Sequence, residues 1–260
     1  MTDDRLITIS PLTAQQRADD YPYEAPQTGY VITGGKYRAT APDEVPDLGG
    51  RVALLSVGSN RSPQQLLRKF GQEAVLPVTT ALLKNCDIIH SACFSYYGAV
   101  PCSAIPCNGT DIMLNAVWVT PDQLQIMHDT EAVGIAYDYC RWDEGSVEIL
   151  GAPQPEAVYG YATRLGYLAD VAGHPYALSY LQAERRQFTA LSQAQARAKL
   201  YEMLPASLGA DNEAAFMAKL TSDKGYRLAV NEALGAQGTA ITKGPWQIIP
   251  ATPQDASRFL

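Results

Sequence analysis

The run Val52-Ala53-Leu54-Leu55-Ser56-Val57 is almost wholly apolar and is stopped by Gly58-Ser59-Asn60. A run this short, bounded by turn residues, predicts a short buried strand. Residues 75–84, 87–97 and 112–120 are apolar and β-branched enough to predict three more strands. Residues 136–142 and 146–150 predict a hairpin about Asp143-Glu144-Gly145, and 157–165 adds a further strand.

Two short helices are predicted among them by one device. Ser62-Pro63-Gln64-Gln65 offers a capping serine, proline at the first helical position and glutamine at the third, and Thr120-Pro121-Asp122-Gln123 repeats it. The first helix is predicted to end at Phe70 with Gly71 as its left-handed cap, and the second near Asp129. Beyond Gly166 the pattern turns helical. Residues 175–188 predict one helix, 192–204 a second capped by Ser192, and 212–235 one helix or two broken near Gly225. Strands follow one another without strict alternation with helices, which predicts an α+β fold rather than a doubly wound one.

Residues 1–50 have little periodicity. The prolines of "YPYEAPQTGY" and "APDEVPDLGG" remove backbone donors and restrict φ, which argues against regular helix or central strand there. An extended N-terminal arm is expected. It either wraps the core through Tyr21, Tyr23 and Tyr30 or pairs with another subunit in an oligomer, with disorder the plain alternative for about the first twenty residues. The organisation expected is an arm at 1–50, a core at 51–165 and a mainly helical C-terminal extension at 166–260, its last residues extended.

Composition narrows the function classes. The 260 residues carry a formal charge of -7, with 47% apolar and 18% charged residues, which fits an ordinary globular protein. The acidic balance argues against nucleic acid or an anionic membrane as partner. No apolar run approaches the roughly 18 residues of a membrane span. Met-Thr-Asp-Asp-Arg places acids where a signal peptide is basic, so a cytoplasmic protein is expected. Cys86, Cys93, Cys102, Cys107 and Cys140 form no C-x-x-C pair and His90, His128 and His174 lie far apart, so reduced thiols and no metal site are expected.

Three places could carry chemistry. At Gly58-Ser59-Asn60, glycine permits close approach, and successive N–H groups beside a helix N-terminus could hold a carboxylate or oxyanion, with Arg61 at hand. The plain alternative is an ordinary turn. In "MHDTEAVGIAYDY" (127–139), Glu131 sits where a helix should end. A carboxylate there is disfavoured by the helix dipole, and partial burial would suit it to acid/base work; a surface loop acid is the alternative. In "YYGAVPCSAIPCNGT" (96–110), Cys102 or Cys107 could act as nucleophile with His128 as base, although a thiol in an apolar loop is usually inert.

In this order the three stretches resemble the gamma-glutamylcyclotransferase-like superfamily. Val57-Gly58-Ser59-Asn60 matches the family's Tyr-Gly-Ser-Asn, "YYGAVPCSAIPCNGT" its Tyr-Gly…Pro-Ala-Thr-Ile segment, and "MHDTEAVGIAY" its Leu-Asp-x-x-Glu-Gly motif. The resemblance covers about residues 51–165. It implies a small, twisted, mixed barrel-like sheet around a cavity. It also implies a cofactor-independent transferase or lyase in which Glu131 shuttles protons. The Gly58-Ser59-Asn60 backbone, with Val57 in the loop, would bind substrate, and Tyr137 and Tyr161 would line the pocket. The α-amine of a gamma-glutamyl amide attacks its own side-chain carbonyl, giving 5-oxoproline and the freed amine. Three departures stand out: Val57 replaces the motif tyrosine, His128 stands at the motif aspartate and Ala132 at the glycine after the glutamate. A non-catalytic relative that binds a small molecule or a protein in the same cavity is the alternative function, and a cysteine-dependent hydrolase the third.

Overall fold

The computed structural model describes residues 6–41 and 44–250. The readings made of residues 1–5 and of the extended end beyond Pro250 lie outside these.

The N-terminal segment contributes β1 (Ile7–Thr8), α1 (Ala14–Asp19) and a hairpin of β2 (Tyr30–Thr33) and β3 (Lys36–Ala39). Then come β4 (Val52–Ser56), a single 3-10 turn at Ser59–Arg61, α2 (Pro63–Phe70), β5 (Leu76–Leu83), β6 (Cys86–His90), β7 (Cys102–Pro106) and β8 (Asp111–Val119). They are followed by α3 (Pro121–Thr130), β9 (Tyr137–Trp142), β10 (Val147–Leu150) and β11 (Val158–Thr163). The remainder is β12 (Ala177–Leu178), β13 (Ala183–Glu184), β14 (Ala190–Leu191), α4 (Gln193–Glu202), α5 (Glu213–Ser222), α6 (Lys224–Gly235) and β15 (Trp246–Ile248).

The fold is α+β about a large mixed sheet ordered β1-β3-β2-β5-β8-β4-β11-β9-β15, with β10 on β5 and β13 on β8. Its two ends do not pair, so among the described residues it is not a closed barrel. A second sheet, β14-β12-β6-β7, is fed by β5, whose chain turns out of the first sheet at Asn85, φ 54°. Strand β4 shows why its sequence is a continuous apolar run. Ala53 and Leu55 face the core between the sheets, with Ile88, Trp118 and Trp142. Leu54 faces the opposite core, with Leu66 of α2, Met127 of α3 and Tyr161. A strand covered on both sides has no polar face to alternate with. A third cluster packs Phe94 and Val100 against Phe216, Leu220 and Val230 of the C-terminal helices.

The capping predictions hold at Thr120 and Ser192, where both arms of the capping box form. At Ser62 they do not. This residue already closes the 3-10 turn through Ser59, and its hydroxyl goes to Gln64 at 2.6 Å. Gly71 ends α2 at φ 82°, and 212–235 is two helices parted at Asp223.

Several local expectations are corrected. Residues 175–188 form no helix: Ala177 pairs with Ile89 of β6 and Leu178 with Leu191 of β14, while Arg186 forks onto buried Asp87 at 2.8 and 2.9 Å. Burial of Ala177 and Leu178 outweighs the helix preference of that stretch. The expected strand 87–97 stops at His90. The turn at Asp143 forms, but its flanking strands part: β10 joins β5, and β15 takes the free edge of β9. The prolines at 22 and 26 do keep their stretch irregular, yet Tyr30–Thr33 just beyond is an internal strand between β3 and β5. Tyr21, Tyr23 and Tyr30 are all buried within this same chain. No helix among the described residues is long and apolar enough to cross a membrane.

His90 ties β6 to the segment that crosses it. Its N–H bonds the Tyr176 carbonyl, its carbonyl accepts from Leu168, and its ring Nε2 donates to the Leu191 carbonyl at 3.0 Å. Burial pulls the ring from 6.5 down to about 4. The unfolded chain therefore binds a proton at His90 that the folded chain refuses. The stability His90 confers is complete above about pH 6.5 and falls as pH drops towards about 4, by on the order of 3 kcal/mol. Denaturant midpoints of wild type and His90→Gln should converge between pH 7 and pH 4.5; a constant gap would assign the acid sensitivity elsewhere.

Candidate functional site

Strand β4 ends at Ser56, and the chain turns through Val57-Gly58 into the 3-10 turn. Arg61 N–H bonds the Gly58 carbonyl at 3.2 Å. The Tyr30 hydroxyl donates to the Arg61 carbonyl at 2.7 Å, and Arg61 Nε donates to Asn115 Oδ1 of β8 at 2.9 Å. The loop is thus tied to strands on two sides. The N–H groups of Ser59 and Asn60 have no acceptor among the described residues.

Helix α3 brings the second part. Glu131 is its C-cap (φ -97°, ψ 0°), and Ala132 follows at φ 48°. Val133 N–H reaches back to the His128 carbonyl at 3.4 Å, the six-to-one bond of a Schellman ending. Ala132 stands where the resembled motif has glycine, and its backbone takes the left-handed form that glycine adopts at least strain.

Packing of α2 on α3 joins the halves. Asn60 Nδ2 donates to Glu131 Oε1 at 2.9 Å. The Lys69 ammonium forms an ion pair with the same oxygen, and its side chain is only 1% exposed against 15% for Glu131. Burial pulls the Lys69 pKa down while Glu131 pushes it back up. Val57, Gly58, Ser59, Asn60, Glu131, Tyr137 and Tyr161 all line one cavity of about 140 Å³, close to the size of a cavity that takes up a benzene-sized molecule. Burial and the Glu131 charge push the hydroxyls of Tyr137 and Tyr161 well up, so both stay protonated donors.

The thiol-imidazole pair does not form. Cys102 lines the cavity, but burial pushes its thiol up to about 12, far from a nucleophilic thiolate. Cys107 lies 3.0 Å from the Thr110 hydroxyl, outside the cavity lining. His128 Nδ1 is 2.9 Å from the Tyr161 hydroxyl, with its ring edge-on to Tyr139. His174 is exposed and lies 3.4 Å from Asp170 in a turn. All five cysteines are unpaired, and no three His, Cys, Asp or Glu side chains gather to hold a metal among the described residues.

Lys69 and Arg68 line the cavity without having been read as site residues, and Tyr21, expected only as part of an arm wrapping the core, lines it too. For Lys69 a signal existed, because it lies three and four positions after Leu66 and Gln65, on the buried face of α2. No local signal marks Tyr21. Its hydroxyl accepts from Cys102 N–H at 3.3 Å and lies beside Gly58. The N-terminal segment therefore brings a tyrosine hydroxyl to the loop whose own Val57 has none. No family model, curated protein or solved structure matches this chain.

A methyl group at Gly58 would come within 2.5 Å of the Tyr21 hydroxyl and 2.8 Å of Cys102 Sγ. Gly58→Ala should destabilise the fold by about 1–3 kcal/mol through overpacking. Adding Tyr21→Phe should recover at least about 0.5 kcal/mol of that beyond additivity. Chemical denaturation of the four proteins of the cycle measures both, and strict additivity would mean that Tyr21 does not press on Gly58.

Proposed function

We propose that this cavity is the active site of an enzyme of the gamma-glutamylcyclotransferase-like kind, acting on a gamma-glutamyl or similar small amide. On this reading the open mixed sheet is the counterpart of that family's small, twisted, barrel-like core. The observation that carries it is the hydrogen bond from Asn60 to Glu131, which puts the Gly-Ser-Asn loop and the glutamate on one cavity though they lie far apart in the chain.

The groups present suit the reaction. Asn60 Oδ1 is buried without a partner among the described residues, an acceptor left for a ligand N–H. The unaccepted N–H groups of Ser59 and Asn60 suit a carboxylate or an oxyanion. Arg68 lines the cavity with Gln65 and Tyr96 as hydrogen-bond partners and no carboxylate among the described residues. The α-amine of the substrate attacks its side-chain amide carbonyl, forming the ring C–N bond. Glu131 takes the proton this amine sheds and returns it to the departing nitrogen as the amide C–N bond breaks, leaving 5-oxoproline and a free amine. Nucleophile and electrophile share one molecule, so the site supplies folding of the substrate and proton transfer.

One observation favours a second reading. An idle buried carboxylate would be destabilising, but Lys69 already pairs Glu131, so the cavity is stable without turnover and could serve a binding protein.

Turnover of a panel of gamma-glutamyl amines, followed as 5-oxoproline release, separates the two. Glu131→Gln should lower kcat by at least about 100-fold. Glu131→Asp, which keeps a charge for Lys69 but withdraws it by one methylene, should also be impaired. Full activity in a folded Glu131→Gln protein would remove the glutamate from the mechanism. Ligand-dependent rises in melting temperature with no product from the wild type would favour the binding protein.

A further inference from the structure

Both donors that reach Glu131 converge on one of its oxygens. Asn60 Nδ2 and the Lys69 ammonium each bond Oε1, and nothing among the described residues hydrogen-bonds Oε2. The carboxylate is held at one end and open at the other, on the wall of a cavity.

We infer that Lys69 is a positioning residue: it fixes Glu131 as a carboxylate, with Oε1 locked and Oε2 left to exchange protons with the ligand. The inference rests on the acid/base reading of Glu131.

The charge requirement follows from where Glu131 sits. As the C-cap of α3 it lies against the negative end of the helix dipole, and it is largely out of water. Both conditions make an ionised carboxylate costly there without a cation beside it. Among the described residues, Cys102 of β7, Tyr137 of β9 and Tyr161 of β11 also interact with Glu131, and burial keeps all three neutral. From α2, Arg68 lines the same cavity, but its hydrogen bonds go to Gln65 and Tyr96. Lys69 is therefore the cation in direct contact. Among the described residues its ammonium has only the thioether of Met127, at 3.5 Å, as a further partner, so its position is set by the carboxylate.

The experiment titrates the Glu131 side-chain carboxyl directly, by carbon-13 NMR of glutamate-labelled protein with no ligand added. The resonance is assigned by its loss in Glu131→Gln. In Lys69→Met the titration should move upward by one pH unit or more, whereas Lys69→Arg, which keeps the charge, should stay within about half a unit of wild type, since one unit is the scale of a single close charge. Lys69→Gln serves in place of the methionine variant if that protein does not fold. An unmoved titration in the neutral variant would overturn the inference, as would an equal shift in Lys69→Arg. The result does not depend on any substrate. Should the wild type release no 5-oxoproline, the reaction fails while the role of Lys69 in holding Glu131 ionised is still decided. Where turnover is found, the acid limb of the kcat profile should move with the NMR titration.

Discussion

Strand β8 is the constraint from which the rest is hung. It is hydrogen-bonded along one edge to β5 over six residue pairs and along the other to β4 over five, and β13 extends that second edge. With both edges taken and nearly all its side chains buried, β8 admits no slip in register, because one residue of slip would turn its core face outward. Through β4 it fixes where the chain leaves the sheet at Val57. Through β5 it fixes the hairpin β2–β3, whose Tyr30 holds the 3-10 turn. Its own Asn115 takes the Arg61 side chain. The Gly58-Ser59-Asn60 wall of the cavity descends from these ladders.

The second dependence is electrostatic. A lysine ammonium and a glutamate carboxylate leave water together, which neither could do alone without a penalty of several kcal/mol. Removing either partner strands the other, so the pair holds α2 against α3 as well as serving the cavity. The left-handed backbone at Ala132 belongs to the same joint: it ends α3 abruptly and leaves Glu131 as the last residue before the turn. Tyr21 adds a third tie, closing the cavity behind Gly58 with a hydroxyl from the N-terminal segment. The segment that looked least structured in sequence thus supports the loop that looked most functional.

Much of the candidate site was legible because its parts are local devices. The apolar run to Val57, the stop at Gly58-Ser59-Asn60, the Thr120–Gln123 cap and a glutamate at a helix end are each set within a few residues. Where the structure departs from expectation, long-range pairing won. Residues 175–188 hold good helix formers, yet β6 offered Ala177 a buried strand edge. Asp143-Glu144-Gly145 turns as expected, yet β5 and β15 took the two strands that seemed to belong together. Lys69 went unnoticed because a lysine near a helix end is ordinarily solvated, and only α3 packed above it takes that water away. Tyr21 could not be placed, since nothing near it in the chain refers to Gly58.

By itself the sequence determined the α+β class, the strand at 52–57, the positions of several helix ends and the two chemical stretches around Asn60 and Glu131. These follow from periodicity and capping, which act over a few residues. Tertiary structure alone decided that the two stretches share a cavity, that Lys69 pairs with Glu131, that Oε2 is left open and that Tyr21 backs Gly58. Those outcomes depend on which strand edges and helix faces meet. That choice minimises buried unpaired groups over the whole chain, and no short window contains the partners.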